Sequence, residues 1–553
     1  MTSKETLPLW LLLAALLVPA LGLTSPLLEV DDARYAEVPR EMAASGDWVL
    51  PTLDATPYVE KPPLWYWIDA ASQKVLGSSE ASARLPMLVL ALLGAAGAWW
   101  LGGWLYDERV GRIAAAATGT SALWIFLVHN LTLDMPLSVC FIWTTAFILR
   151  TLMKPQDAFW AAPAAWACAA LAFLDKGLIA VVFPVAWVLG LAVMFPKMRR
   201  GALALATSWG MPLAAAITAP WFFAMQRRRP DFLHVFFIEQ HFQRFLTQKY
   251  HRNAPAWFYL AVLPGGLLPW TAPALSGLWR AVRRPLGPDA RGPALAAWSL
   301  GVTAFFSISH SKLATYVLPV FPHMAILAAA ELERGLPRAA ARAQAALGSV
   351  LLCAAGVLAA VAIFSPTARA AALAFMSAPR AGLLAALAVG LLAAMGAAML
   401  LAPRLSRPAA ALCAGAALAG VCLFGGLRLA APLVSAREVG LAVRAQIRPG
   451  DELWTYDTYL HGLPFYCGRR VDRIVQFLGE FHYAKRDPAY APMFRDDSAL
   501  SELPRAGGRT FVAMKSRSFD HFIASVKGGG GALEAVEPLG AWTLAVVGAE
   551  PPR

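Results

Sequence analysis

Residues 31–67 read DDARYAEVPREMAASGDWVLPTLDATPYVEKPPLWYW. Long apolar runs flank this stretch on both sides, which makes it a loop outside the bilayer. A connector needs only polarity and turn residues. This one adds two adjacent acids, Asp31 and Asp32, and the charged run Arg34-Tyr35-Ala36-Glu37. It then sets Glu60-Lys61 before two prolines and an aromatic run. A loop built this way carries chemistry, and the helices around it become its scaffold.

Working outward, 58% of the 553 residues are hydrophobic and only 15% are charged, against about 25% charged in soluble proteins. The apolar residues fall in blocks of roughly 18–22, enough to cross a hydrocarbon core of about 30 Å as helix. A β-barrel would need alternating strands of about ten residues, which this pattern excludes. The predicted fold is a polytopic α-helical membrane protein. Thirteen spans are expected, at 7–28, 86–106, 112–130, 135–153, 158–174, 177–195, 201–223, 256–279, 293–309, 314–332, 345–365, 381–402 and 408–428. The first is read as a retained helix, since no small-x-small cleavage site follows it.

Orientation comes from Lys and Arg in the short loops. With the N-terminus inside, every inside loop is basic, from Arg109 and Arg112 to Arg404 and Arg407. The net charge of +13 is explained in this way, and nucleic-acid binding is not expected. Two large loops then lie outside, at 29–85 and 226–255. Residues 432–553 also fall outside and gain charge and short β-like runs at 452–456, 509–514 and 542–547. The chain thus divides into a transmembrane part, 1–431, and a C-terminal soluble α/β domain, 432–553. Of six cysteines only Cys467 lies in a polar region, so no disulfide framework or CxxC site is expected.

Within the first loop, 32–45 has helical spacing, with Tyr35, Val38 and Met42 on one face and Arg34, Glu37 and Glu41 on the other. Leu64–Ile68 is aromatic and is expected at the membrane interface, so the loop is expected to lie on the membrane surface as short amphipathic helices.

Asp31 and Asp32 suit a helix start, where acids complement the dipole. Asp134 adds a third acid at the outside mouth of two spans, and ionisable residues near membrane depth usually face a cavity and a task. Glu60-Lys61 reads either as an exposed ion pair or as two charges held in one direction by Pro62 and Pro63. The second loop offers Glu239, His241 and Arg244 in FFIEQHFQRF, residues 236–245. Glu60 with His241 is a candidate site for a divalent metal: zinc, manganese or magnesium. Lys61, Arg227–Arg229, Arg244, Lys249, Arg252 and Lys312 are cations on the side where few are expected. They either face anionic lipid or hold phosphate at headgroup level, with Tyr316 one turn beyond Lys312.

These motifs carry a resemblance. DDARYAE, REMAASGDW and YVEKPPLWYW are similar to the first outside loop of bacterial lipid-linked glycosyltransferases related to protein O-mannosyltransferases, the GT-C class. Thr132-Leu133-Asp134, FFIEQHFQRF and the run from His310 to Pro319 resemble further motifs of that group. More narrowly, the chain resembles the 4-amino-4-deoxy-L-arabinose (aminoarabinose) transferases that modify lipid A.

The resemblance implies an undecaprenyl-phosphate sugar donor and a lipid A acceptor, joined on the periplasmic face of the inner membrane. The enzyme is expected to act as a monomer among membrane lipids. It implies Asp31 and Asp134 as catalytic carboxylates, and Glu60 and His241 as metal ligands. Lys61, Arg244, Lys312, Tyr316, Arg34 and Tyr35 are implied as donor binders. Relatives have Asp-Glu where this chain has Asp31-Asp32, so no catalytic role is assigned to Asp32. A protein O-mannosyltransferase is the alternative. A lipid flippase fits less well, because carriers often show repeats and mid-membrane charge, whereas no repeat occurs here and the charges gather at one face.

Overall fold

The computed structural model describes residues 7–243, 254–283, 289–373, 376–503, 508–528 and 531–548, with the side chains of 241–243 and 369–372 outside it. Among the described residues seven helices are long and apolar enough to cross a membrane: Glu80–Leu105, Asp134–Met153, Pro155–Lys176, Ala314–Arg334, Arg338–Phe364, Ala378–Arg404 and Pro408–Val434. Two bent pairs, Glu108–Thr120 with Ala122–His129 (54°) and Pro196–Ala206 with Gly210–Arg228 (50°), raise the number to nine. The protein is therefore a multi-pass membrane protein.

The other expected spans are also helical: 293–309 is the continuous helix Arg291–Ile308, and the rest are shorter or broken. Leu9–Gly22 and Ile179–Met194 are short apolar helices. The stretch 256–279 is split into Phe258–Gly266 and Thr271–Arg283, with Pro264 and Pro269 lacking the N–H groups that a continuous helix needs. Close helix contact uses small residues: a Cβ on Gly348 would lie 2.6 Å from the Gly396 carbonyl oxygen.

The first loop folds over the helix ends as a compact layer. Its first helix, Asp31–Ser45, opens on two acids that complement the dipole. It stops at Gly46, whose φ of 72° lets its N–H reach back to the Met42 carbonyl. Pro39 sits inside it and cannot donate to the carbonyl four residues earlier. That carbonyl, on Tyr35, accepts the Trp65 indole N–H instead (2.9 Å). Gln73 donates to the next one, on Ala36 (2.9 Å). The proline thus creates the acceptor that docks the second helix, Leu64–Leu76.

Between the two helices runs a hairpin of β1 (Thr52–Leu53) and β2 (Thr56–Pro57). Its turn residues Asp54 and Ala55 both have positive φ, as a tight two-residue hairpin requires. Glu41 accepts the Ala55 N–H at 3.0 Å and the Thr52 hydroxyl at 2.5 Å.

Two expectations for this layer are corrected. Glu37 is fully buried, not solvent-facing, and holds Arg40 at 2.6 Å. Trp65 and Tyr66 are core residues, not an interfacial belt. The first helix packs against both the second helix and the C-terminal segment, and the second helix packs against the first and against the spans Glu80–Leu105 and Pro155–Lys176.

That segment follows the helix Arg437–Gln446 and holds a six-stranded mixed sheet. Its strands are β3 (Glu452–Tyr456), β4 (Arg473–Val475), β5 (Phe494–Arg495), β6 (Thr510–Lys515), β7 (Ala532–Leu539) and β8 (Trp542–Gly548). Their order is β5-β4-β3-β6-β8-β7. β3 is parallel to β4 and β6, β4 to β5, and β8 is antiparallel to β6 and β7. Asp54 at the hairpin tip accepts the Val471 N–H at 2.8 Å, and the Tyr466 hydroxyl accepts the Leu27 N–H at 2.7 Å.

Candidate active site

Asp31 and Asp32 lie side by side in sequence and part company in space. Asp32 is fully buried against Arg84 at 2.5 Å. Its oxygens also accept the N–H groups of Leu28 (2.9 Å) and Leu131 (3.1 Å). Burial pushes its carboxyl up, and Arg84 and the two amides oppose that shift. Arg84 in turn donates to the carbonyls of His129, Ser25 and Pro26. Asp32 therefore ties the end of the first span to the mouth that presents Asp134.

Asp31, with its side chain 37% exposed, pairs with Arg34 one turn on. It lines a cavity of about 630 Å³. Arg34, Tyr35, Glu60 and Lys61 come from the same loop. Asn130, Thr132, Leu133 and Asp134 come from a span mouth, and Lys176 from the end of the next helix. Val235, Glu239 and Gln240 come from the second loop, and Leu313–Tyr316 from the turn before a late span. Gly479, Glu480, His482, Tyr483 and Arg486 come from the C-terminal segment.

Seven expected site residues thus share one cavity: Asp31, Arg34, Tyr35, Glu60, Lys61, Asp134 and Tyr316. Lys312 does not. It is buried, donates to the Ser309 carbonyl, and lines a separate hollow with residues 307–310. The backbone at Leu313 is extended (φ −129°, ψ 147°), and neighbouring side chains on extended chain point to opposite sides. Arg244, Lys249 and Arg252, with the side chain of His241, lie outside the described residues.

Lys176 is the residue that sequence reading missed. Its ammonium pairs with Asp134 and sits 4.9 Å from the centre of the Tyr316 ring, where the ring face attracts a cation. Its signal was present: Lys176 falls between the spans 158–174 and 177–195, on the outer side by the same charge rule that picked out Lys61. The C-terminal contributors had no such signal, because only folding brings residues beyond 460 to the first loop. Glu480 approaches Arg34 at 3.4 Å and pairs with His461. Burial would raise the Glu480 carboxyl, but His461 and Arg34 outweigh it and hold it well below the usual range. Burial would lower His461, but the Glu480 charge and hydrogen bonds to Glu29 and Glu480 raise it to about 9.

The cavity carboxylates are matched by cations: Asp31 with Arg34, Asp134 with Lys176, Glu239 with Arg486 at 2.9 Å. Among the described residues no group of three or more His, Cys, Asp or Glu is placed to hold a metal ion. Of the pair expected to hold zinc, manganese or magnesium, Glu60 lines the cavity, and the side chain of His241 lies outside the described residues. The site is a hollow lined mostly by charged and polar side chains, with cations set beside anions, suited to a phosphorylated, hydroxyl-rich ligand.

Residues 60–223 match the family model described as dolichyl-phosphate-mannose-protein mannosyltransferase. The undecaprenyl phosphate-alpha-4-amino-4-deoxy-L-arabinose arabinosyl transferase of Pectobacterium carotovorum subsp. carotovorum is 33% identical over 336 residues, 59% of this chain and 58% of that protein. One such transferase of Sodalis glossinidius is 34% identical over 319 residues, 55% of this chain and 54% of that protein. The matched stretch thus spans less than two thirds of these relatives' length. The structure of ArnT from Cupriavidus metallidurans bound to undecaprenyl phosphate superposes with a TM-score of 0.82 at 26% identity, covering 97% of both chains. Fold and sequence agree that the chain resembles the aminoarabinose transferases and has their GT-C architecture.

Proposed function

We propose that this chain is an integral-membrane glycosyltransferase that moves 4-amino-4-deoxy-L-arabinose from undecaprenyl phosphate to a lipid A phosphate. It would do so in the bacterial inner membrane, with thirteen crossings and the site facing the periplasm. Its C-terminal α/β unit, from about residue 432, would lie on the same side. The product carries less negative charge, which lowers the attraction of the outer membrane for cationic peptides such as polymyxin. The observation that carries this reading is the cavity itself. Asp31, Glu60, Lys61, Asp134 and Lys176 arrive there from three separate stretches of chain. The fold similarity to ArnT bound to undecaprenyl phosphate supports it.

The chemistry follows from the charges. A lipid A phosphate monoester has a second pKa of about 6, so the acceptor is anionic at neutral pH without a strong base. The leaving group is a lipid phosphate, also stable as an anion. The main task is to hold two phosphates close and screen their repulsion. Lys61 and Lys176 do this. The Lys176 ammonium is held between the Asp134 carboxylate and the Tyr316 ring, which fixes its place before any ligand arrives. Asp31 and Asp134 face the sugar, bind its hydroxyls and cationic amine, and stabilise positive charge as the glycosidic bond loosens. Attack from the side opposite the leaving phosphate inverts the anomeric centre. A divalent metal held by Glu60 and His241 would add to that screening.

The family match over residues 60–223 favours a second reading, glycosyl transfer to a protein hydroxyl. There Asp31 would have to act as a base. Mass spectrometry of lipid A from cells with and without the gene separates the two. An added aminopentose on a phosphate is expected. An unchanged lipid A together with altered protein glycosylation would promote the second reading.

A further inference from the structure

Arg34 serves two carboxylates. It pairs with Asp31 in its own helix and, through Nη1 at 3.4 Å, with Glu480 from the C-terminal segment. Glu480 in turn pairs with His461, which lies 3.3 Å from Glu29. Glu29 also accepts the N–H groups of His461 (2.8 Å) and Gly462 (2.7 Å). The chain of charges alternates: Glu29, His461, Glu480, Arg34, Asp31. The side chains of the first four are 8%, 1%, 10% and 11% exposed, and Asp31, at 37%, is the most exposed of the five.

We propose that Glu480 is a positioning residue for Asp31, acting through Arg34, so that the C-terminal segment completes the catalytic wall. This rests on the transferase reading given above. In surroundings this poor in water, charges act strongly on one another. A guanidinium shared between two carboxylates neutralises neither completely. Glu480 draws part of the Arg34 charge away and fixes the guanidinium against a rigid partner, because His461 and Glu29 anchor it from behind. Asp31 then keeps enough negative charge, in one orientation, to stabilise a developing cation. Without Glu480 the whole Arg34 fork turns onto Asp31 and quenches it.

The test is steady-state kinetics of the purified full chain in lipid, with undecaprenyl-phosphate aminoarabinose as donor and lipid A as acceptor. Glu480→Gln is expected to lower kcat about tenfold or more, the scale of a misplaced catalytic group, with the donor KM within about twofold. Asp54→Ala is the docking control. It removes the contact of the hairpin with Val471 but touches neither Arg34 nor Asp31, so it should lower thermal stability while kcat holds. If Glu480→Gln does not accumulate folded, Glu480→Asp reads the same quantity, since it withdraws the charge from Arg34 and should give an intermediate kcat. Wild-type kcat in the Glu480 variants overturns the inference alone, as does an equal loss of kcat in Asp54→Ala. No transfer by the unmodified protein overturns the transferase reading, and this inference with it.

Discussion

Asp31 and Asp32 share one chemistry and differ only in where the helix points them. Asp32 is enclosed by Arg84 and two amides, and Asp31 opens on the cavity beside Arg34. Their variants should therefore fail differently. Asp31→Asn should leave the fold intact and lower transfer by roughly 10²–10³-fold; near-normal turnover in a reconstituted assay would remove Asp31 from the mechanism. Asp32→Ala should cost about 3–5 kcal/mol of stability, because it strands a buried guanidinium, and denaturation in detergent reads it. Lys61→Ala and Lys176→Ala each remove a charged partner worth about 1.5–3 kcal/mol, or roughly 10–100-fold in the Kd for undecaprenyl phosphate. Binding unchanged in both would place the phosphate elsewhere.

At the scale of the element, Pro39 is the informative residue. It frees the Tyr35 carbonyl that Trp65 then uses. Trp65→Phe should cost about 1–2 kcal/mol, the loss of one buried hydrogen bond with its acceptor left unsatisfied. In a Pro39→Ala background the loss should be smaller, since the restored N–H can serve that carbonyl. Equal losses in both backgrounds would show that packing alone docks the helix Leu64–Leu76. The helical spacing of 32–45 and the aromatic run at 64–68 were both legible in sequence, and both are helices. Their environment was not. An amphipathic pattern shows which face is apolar, but it says nothing of a second layer that also covers the polar face, and Glu37 was misread for that reason.

At the scale of the whole molecule, the C-terminal segment is fastened to the first loop by charge. His461 is raised from 6.5 to about 9 by Glu480 and Glu29 against the opposing effect of burial, while Glu480 is lowered from 4.5. A raised histidine gives stability that is complete below its ordinary pKa and is lost as pH rises through the folded value. A lowered carboxylate gives stability that is present above its ordinary pKa and is lost as pH falls. The fastening should therefore be strongest between about pH 4.5 and 6.5 and weaken by on the order of 3 kcal/mol towards pH 9. Melting temperature against pH should show that decline, and His461→Gln should flatten it. A decline of equal slope in the variant would assign it to other groups.

The long apolar helices and the crowded first loop followed from local composition, because lipid imposes a length and a polarity on each segment. Asp31, Glu60, Lys61 and Asp134 were legible because each breaks a local rule, as a charge at a membrane mouth or beside rigid prolines. Tertiary structure alone decided the rest. It turned Lys312 away from the cavity, paired Lys176 with Asp134, made Asp32 a structural anchor, and brought Glu480 to Arg34. The physical reason is that pairing between distant charges depends on how the layers stack. Separation along the chain carries no record of that stacking.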